Sequence, residues 1–132
     1  MSMTHKKIIE TANAPAAIGP YSQAVSVEGW VFLSGQIPID PSTAKIVSED
    51  IARQTEQVMN NIKAVVEKAG GTMQNIVKTT IYLKDMDDFA KVNEIYKRYF
   101  PSEPPARATV QVSRLPKDVG IEIDAIVFVK GA

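Results

Sequence analysis

The sequence contains no cysteine, and its 132 residues include a single histidine, His5. The lack of cysteine excludes disulfides, thiolate nucleophiles and thiolate metal sites. One histidine excludes a Ser-His-Asp triad and most histidine-based metal sites, so we expect no bound metal. Any chemistry must therefore depend on carboxylates, hydroxyls, arginine, backbone groups and water.

The chain also lacks net charge and long apolar runs. Fifteen basic and fifteen acidic residues cancel, so no bulk positive field attracts nucleic acid or an anionic membrane. No apolar run approaches the ~20 residues that a membrane helix needs, and the N-terminus lacks the apolar run of a signal peptide. We expect one cytoplasmic domain over residues 1–132, because this length suits a single core and no linker or repeat divides it.

Hydrophobic periodicity predicts five strands and two helices. The strands are expected at residues 21–27, 30–34, 77–83, 107–112 and 121–129. One helix follows Ser48 as its N-cap and ends at Gly70, whereas the second is capped by Asp85 or Asp87 and ends at Pro101. This order predicts an α+β sandwich in which a mixed β-sheet carries both helices on one face.

The last predicted strand has two different faces. One face is apolar throughout, and the other changes from acidic to apolar along the sequence Glu122, Asp124, Ile126, Phe128. If the helices cover the first face, a second surface must cover the apolar end of the other, which predicts a homo-oligomer. The alternative is that these positions line a small intramolecular core.

An arginine follows a rigid proline pair. Pro104 and Pro105 restrict their own backbone and bias the residues before them toward extended geometry. Arg107 therefore starts a strand with little backbone freedom, and its planar guanidinium matches a carboxylate bidentately. The alternative interpretation is a solvated charge at the end of a strand.

Other polar residues are weaker candidates when taken singly. Glu122 and Asp124 point the same way from the last strand, where a partly buried glutamate can exchange protons with water or both acids can simply be solvated. Tyr21 follows a Gly-Pro turn and can donate to a ligand or pack. Ser34 and Gly35 end a strand, where a hydroxyl and an amide can face a cleft.

Several short motifs occur in one order along most of the chain. They are NAPAAIGPYSQA at 13–24, SGQIP at 34–38, PAR at 105–107, RLPKDV at 114–119 and IEI at 121–123. Together these motifs resemble the RidA family, also called YjgF, over a match from about Ile9 to Val129.

The resemblance implies a chorismate-mutase-like protomer that forms a homotrimer with clefts between subunits. It implies a 2-iminobutanoate/2-iminopropanoate deaminase that hydrolyses 2-aminoacrylate and 2-aminocrotonate to 2-oxo acids and ammonia without a cofactor. Dehydratases that depend on pyridoxal phosphate release these intermediates from serine or threonine.

The resemblance also implies roles for particular residues. Arg107 would bind the substrate carboxylate, and Glu122 would position or activate the hydrolytic water. The matching cleft positions are Tyr21, Ser34, Gly35, Asn93 and Thr109. Thr109 stands where many relatives carry cysteine, which puts a thiol-dependent role in doubt.

Two alternative functions stay open at this point. A binding or regulatory module would use the same arginine to hold 2-oxo acids without turnover. A ribonuclease or translation inhibitor, as ascribed to some relatives, would need a cationic groove and strong acid-base groups. Zero net charge and the lack of a catalytic histidine argue against the latter.

Overall fold

A six-stranded mixed sheet carries two helices on one face in the computed structural model, which describes residues 5–132. The elements in chain order are β1 (Lys7–Ile9), β2 (Ala24–Val27), β3 (Trp30–Gln36), β4 (Ile39–Asp40), β5 (Lys45–Ile46), α1 (Ile51–Lys68), β6 (Ile76–Leu83), α2 (Phe89–Tyr96), β7 (Ala106–Gln111) and β8 (Ile121–Phe128). The expected α+β fold is confirmed.

The large sheet has the strand order β1-β2-β3-β8-β6-β7. Strands β6 and β7 pair in parallel because α2 connects them as a crossover, whereas the other neighbours pair antiparallel. Strands β4 and β5 form a separate hairpin. Among the described residues, neither helix is long and apolar enough to cross a membrane.

Helix α1 buries one apolar stripe against the sheet, and its start differs from the prediction. The Asp50 carboxylate accepts the backbone N–H of Arg53 at 3.1 Å and is the N-cap. The prediction of Ser48 is wrong, because the Ser48 hydroxyl accepts the N–H of Asp50 at 3.0 Å, before the first turn. Gly70 follows the helix with a φ of +94°, as expected at the C-terminus.

The prediction of which β6 residues face inward is confirmed except at the start of the strand. Thr79, Ile81 and Leu83 are buried, but Val77 is 42% exposed. The register between β6 and β8 shifts between Ile76 and Lys78, which turns Ile76 inward and Val77 outward. Helix α2 is preceded by a 3₁₀ turn, Met86–Asp88, in which the Asp85 carboxylate accepts the N–H of Asp87. The predicted cap and end of α2 are wrong, because its N-cap is Asp88, without a side-chain bond, and the α-helix ends at Tyr96, before a second 3₁₀ turn.

The sheet has one face covered by helices and one open face. The helix side of β8 is buried at Ile121, Ile123, Ala125 and Val127, which confirms the predicted alternation. We define the open face by the outward residues of the central strands. Its large apolar side chains include Trp30, Phe32 and Phe128, which are 38–44% exposed.

Strand β3 contains a β-bulge at Ser34 and Gly35, near its C-terminal end. Leu33 lies opposite Ala125 and Gln36 opposite Ile123, so Ser34 and Gly35 occupy the space of one partner residue. The bulge interrupts the ladder next to β8. It places Ser34 and Gly35 beside the acidic end of that strand.

Candidate functional site

The first candidate site is a cleft of about 580 Å³, here called the Glu122 cleft. Its walls come from the loop before β2, the bulge of β3 and the loop before β8. Four residues expected at the site line it: Tyr21, Ser34, Gly35 and Glu122. Lys117 from the loop before β8 also lines it and was not among the expected residues.

The Glu122 carboxylate lies directly against the backbone of Gly35. A Cβ atom added to Gly35 would overlap the carboxylate and lie 2.8 Å from Cδ of Glu122. Burial raises the pKa of Glu122, and the nearby charge of Asp124 raises it further. The absence of a side chain at position 35 therefore makes room for a carboxyl group that holds its proton more tightly than an exposed one.

A buried glutamine holds the loop that forms one wall of the Glu122 cleft. The Gln23 side-chain oxygen accepts the N–H of Thr11 at 2.7 Å, and its amide donates to the carbonyl of Pro15 at 2.8 Å. The Ser34 hydroxyl donates to the carbonyl of Ser22 at 2.5 Å, which ties the bulge to the same loop. The role of Gln23 was missed, although a polar residue directly before a buried strand position was a signal for it.

Tyr21 lies at the rim of the Glu122 cleft. Its side chain is exposed, and its hydroxyl oxygen accepts the N–H of Ile18 at 3.4 Å. The phenol is therefore placed at the entrance of the cleft.

The second candidate site is a cleft of about 490 Å³ on the other side of the sheet, here called the Arg107 cleft. Arg107 is the second residue of β7, and Nη1 donates to Oδ1 of Asn93 at 2.6 Å. The guanidinium carbon lies 5.1 Å from the ring centroid of Tyr96 and 5.5 Å from that of Phe89. One amide and two aromatic rings of α2 thus restrain an arginine that stays exposed.

The aromatic support of Arg107 is itself anchored in the core. The hydroxyls of Tyr96 and Thr79 lie 2.6 Å apart, and both residues are buried. Burial raises the pKa of Tyr96, so its phenol stays protonated at neutral pH. Pro104 and Pro105 complete the wall of the cleft.

Thr109 lies on the same side of β7 as Arg107, two residues further along. It is not among the residues of the described chain that line the Arg107 cleft. Its Oγ1 atom is buried and has no hydrogen-bond partner within residues 5–132.

The two clefts lie on opposite faces of the sheet. Arg107 is in register with Thr79, and Thr79 with Ala125, which places Arg107 on the helix side. Glu122 faces the opposite side of the sheet. It lies three residues along β8 from Ala125, and β8 is two strands away from β7, so the Cα atoms of Arg107 and Glu122 are roughly 14 Å apart. The fold brings Asn93 to Arg107 but does not bring Glu122 to it within one chain.

The described residues hold no evident metal site. Within residues 5–132, no three His, Cys, Asp or Glu side chains lie close enough together to bind a metal ion.

Comparison with known proteins gives consistent matches over most of the chain. Residues 11–129 match the family model described as Endoribonuclease L-PSP. A RutC family protein of Pyrococcus horikoshii is 57% identical over 123 residues, which cover 93% of this chain and 98% of that protein. The human 2-iminobutanoate/2-iminopropanoate deaminase is 49% identical over 126 residues, which cover 96% of this chain and 92% of that protein.

Solved structures agree with this similarity. The YjgF gene product of E. coli superposes with a TM-score of 0.89 at 50% identity, covering 92% of this chain and 98% of that one. E. coli TdcF with bound serine gives a TM-score of 0.89 at 47% identity, with the same two coverages.

Proposed function

The chain belongs to the RidA (YjgF) family, and from that premise we propose that it hydrolyses 2-imino acids and their enamine tautomers to 2-oxo acids and ammonia. The substrates are 2-aminocrotonate and 2-aminoacrylate, released by dehydratases that depend on pyridoxal phosphate. The observation that carries the proposal is the half-buried Glu122 carboxyl group, with its raised pKa, in a cleft of small-molecule size. The name of the human relative supports the same chemistry.

We further propose that the complete site forms between two copies of the chain in a homotrimer. A four-carbon acid is too short to reach both Arg107 and Glu122 of one chain, because they lie on opposite faces of the sheet. The open face carries exposed aromatic side chains that a neighbouring copy would cover. A neighbour seated there can bring its Arg107 cleft to the Glu122 cleft.

The proposed reaction needs few groups. Arg107 binds the substrate carboxylate through its guanidinium, while Tyr21 and Ser34 shape the cleft around the imine carbon. The substrate reacts as its protonated imine: the oxygen of water bonds to the carbon of the C=NH₂⁺ group, the C=N bond becomes a single bond to a neutral amino group, and Glu122 accepts the proton that the water loses. Glu122 then delivers this proton to the nitrogen.

The second half of the reaction reverses the direction of proton transfer. The C–N bond breaks, the nitrogen leaves with its electron pair as ammonia, and the hydroxyl oxygen forms the carbonyl. Glu122 accepts the hydroxyl proton, which passes to the ammonia and leaves as ammonium. Because Glu122 must be ionised to accept the first proton, the rate should fall as the pH drops through its raised pKa.

The test is the release of 2-oxobutanoate by a threonine dehydratase, measured with and without the protein. Wild type should accelerate release, and Arg107→Ala and Glu122→Gln should each lose roughly 100-fold of that acceleration. The matched controls are Arg53→Ala and Glu49→Gln, which remove the same groups from exposed positions outside both clefts. No acceleration by wild type, or equal acceleration by Arg107→Ala, would defeat the proposal.

Stability measurements separate lost chemistry from lost folding. A carboxyl group with a raised pKa in the folded chain contributes stability at low pH and loses it as the pH rises through that pKa. Glu122→Gln should therefore unfold at a higher urea concentration than wild type at neutral pH while its activity is lost.

A second candidate function is the binding of small amino or oxo acids without turnover. It is favoured by the serine bound in the structure of E. coli TdcF. Calorimetric binding of 2-oxobutanoate, together with a silent deaminase assay, would select it over the enzyme.

A further inference from the structure

Three polar side chains lie together on the open face beside the Glu122 cleft: Tyr82, Glu122 and Asp124. In the register of β6 on β8, Tyr82 lies opposite Glu122, and Thr80 lies opposite Asp124. Glu122 and Asp124 are two residues apart and project from the same face of one strand.

The Tyr82 side chain joins the two acids. Its hydroxyl donates to Oδ2 of Asp124 at 3.0 Å, so the phenol leans diagonally from its own partner, Glu122, to the next residue on that face. Burial raises the pKa of Tyr82 and the bond to Asp124 raises it further, so the phenol remains a donor at neutral pH.

Other charged or titratable groups near this cluster come from two loops and from β6, and in the proposed trimer Arg107 of a neighbouring copy joins them. Tyr21 enters from the loop before β2, and Lys117 from the loop before β8. Lys78 lies further along β6, opposite Ile126. The negative charge of Asp124 raises the pKa of Glu122, next in size to the effect of burial. A fixed negative charge beside a half-buried carboxyl group therefore favours the protonated form of that group.

We propose that Asp124, held by the Tyr82 phenol, is a positioning residue that keeps a proton on Glu122 between the two transfers of the hydrolysis. The proposal rests on the deaminase function proposed above. Glu122 takes a proton from water and must hold it until the nitrogen is ready to receive it. Asp124 supplies the charge that stabilises this intermediate protonation state, and the hydrogen bond from Tyr82 keeps the Asp124 side chain beside Glu122.

The first test measures the protonation of Glu122 without any activity. Carbon-13 NMR of the side-chain carboxyl carbon, assigned with Glu122→Gln, gives its titration midpoint in the full chain. Asp124→Asn keeps the shape and the acceptor for Tyr82 but removes the charge, so the midpoint should fall by about one pH unit. Tyr82→Phe should give a smaller fall, because Asp124 keeps its charge but loses its anchor.

Two control variants define the cause of that change. Asp124→Glu retains the charge and should retain the raised midpoint, while Glu49→Gln removes one exposed acid elsewhere and should leave it unchanged. An unchanged midpoint in Asp124→Asn would overturn the proposal, as would an equal fall in Glu49→Gln.

The second test is the pH profile of the deaminase assay. In Asp124→Asn, the acidic limb of the profile should move to lower pH and kcat should fall about tenfold. KM should stay near the wild-type value, because Arg107 still binds the substrate carboxylate. No acceleration by wild type would overturn the proposed function, whereas acceleration with an unmoved acidic limb in Asp124→Asn would overturn the positioning role alone.

Discussion

The Glu122 cleft and the Arg107 cleft restrain their charged groups in opposite ways. Glu122 is half-buried on the central strand β8, against the backbone of Gly35, where burial favours its protonated form. Arg107 is exposed on the edge strand β7, and one amide and two rings fix its direction without covering it. The difference suits the two tasks proposed for them, because a proton carrier gains from burial and a carboxylate clamp must stay accessible.

Mixing two inactive variants gives the largest expected effect. Arg107→Ala chains keep an intact Glu122 cleft, and Glu122→Gln chains keep an intact Arg107 cleft. If each site joins the two clefts from neighbouring chains of a trimer, random co-assembly makes about one site in four complete. Refolding the variants together should therefore restore about a quarter of the wild-type rate from near zero.

The control for mixing uses a chain that carries both substitutions. Co-assembly of this double variant with Arg107→Ala supplies no intact arginine, so its rate should stay at background. Mixed trimers without recovered activity would show that both groups act from one chain.

Disrupting the open face should separate the two clefts. Phe32 is 44% exposed and lies opposite Ile126 in the register of β3 on β8. Phe32→Asp should remove about 2 kcal/mol of apolar burial per chain and weaken assembly about 30-fold. Light scattering should show smaller particles, and activity should fall with the assembled fraction. Phe32→Leu keeps an apolar contact and should still assemble; an unchanged mass in Phe32→Asp would exclude this face as the interface.

Adding one methyl group should disturb the Glu122 cleft and leave the Arg107 cleft intact. The Cβ atom of Gly35→Ala meets the end of a flexible side chain, so the Glu122 carboxylate can move aside at little cost in stability. Its displacement should lower kcat about tenfold, with little change in KM or in the urea midpoint. In a Glu122→Gln background the same change should have no further effect on rate, and a further loss would show that Gly35 acts independently of Glu122.

The smallest expected effect comes from changing Tyr96, whose ring lies beneath the Arg107 guanidinium. Tyr96→Phe keeps the ring beneath the guanidinium but removes the hydroxyl that contacts Thr79 in the core. The free energy of unfolding should fall by about 1 kcal/mol, with little change in rate. Tyr99→Phe is the matched control, because its hydroxyl bonds to Asn60 at an exposed position. Equal losses of stability in Tyr96→Phe and Tyr99→Phe would contradict the view that the buried contact between Tyr96 and Thr79 anchors the ring.

The sequence predicted those parts of the fold that local patterns determine. The alternation of residues along β8 was sufficient to predict which face of this strand is buried, because a polar residue on the buried face would be costly. The cap of α1 was misplaced because Ser48 and Asp50 both accept N–H groups, and the pattern does not show where the backbone becomes helical. Val77 was misplaced because the register shift of β6 depends on its pairing with β8.

The candidate site was predictable as a set of residue types but not as an arrangement. Arg107 and Glu122 each carried a local signal, a proline pair and an acidic start to an apolar strand. Their separation depends on the strand order β8-β6-β7 and on the parallel crossover through α2, which pair residues far apart in sequence. The contact of Arg107 with Asn93 depends on the same crossover.

The bulge of β3 uncouples the two ends of this strand. Trp30–Leu33 keep a regular ladder with Phe128–Ala125 under the aromatic surface, while Gln36 pairs with Ile123 in a shifted register. A change in the residues between them can reshape the wall beside Glu122 without shifting the aromatic ladder. Substitutions at this bulge can therefore retune the cleft for another ligand while the proposed association surface stays unchanged.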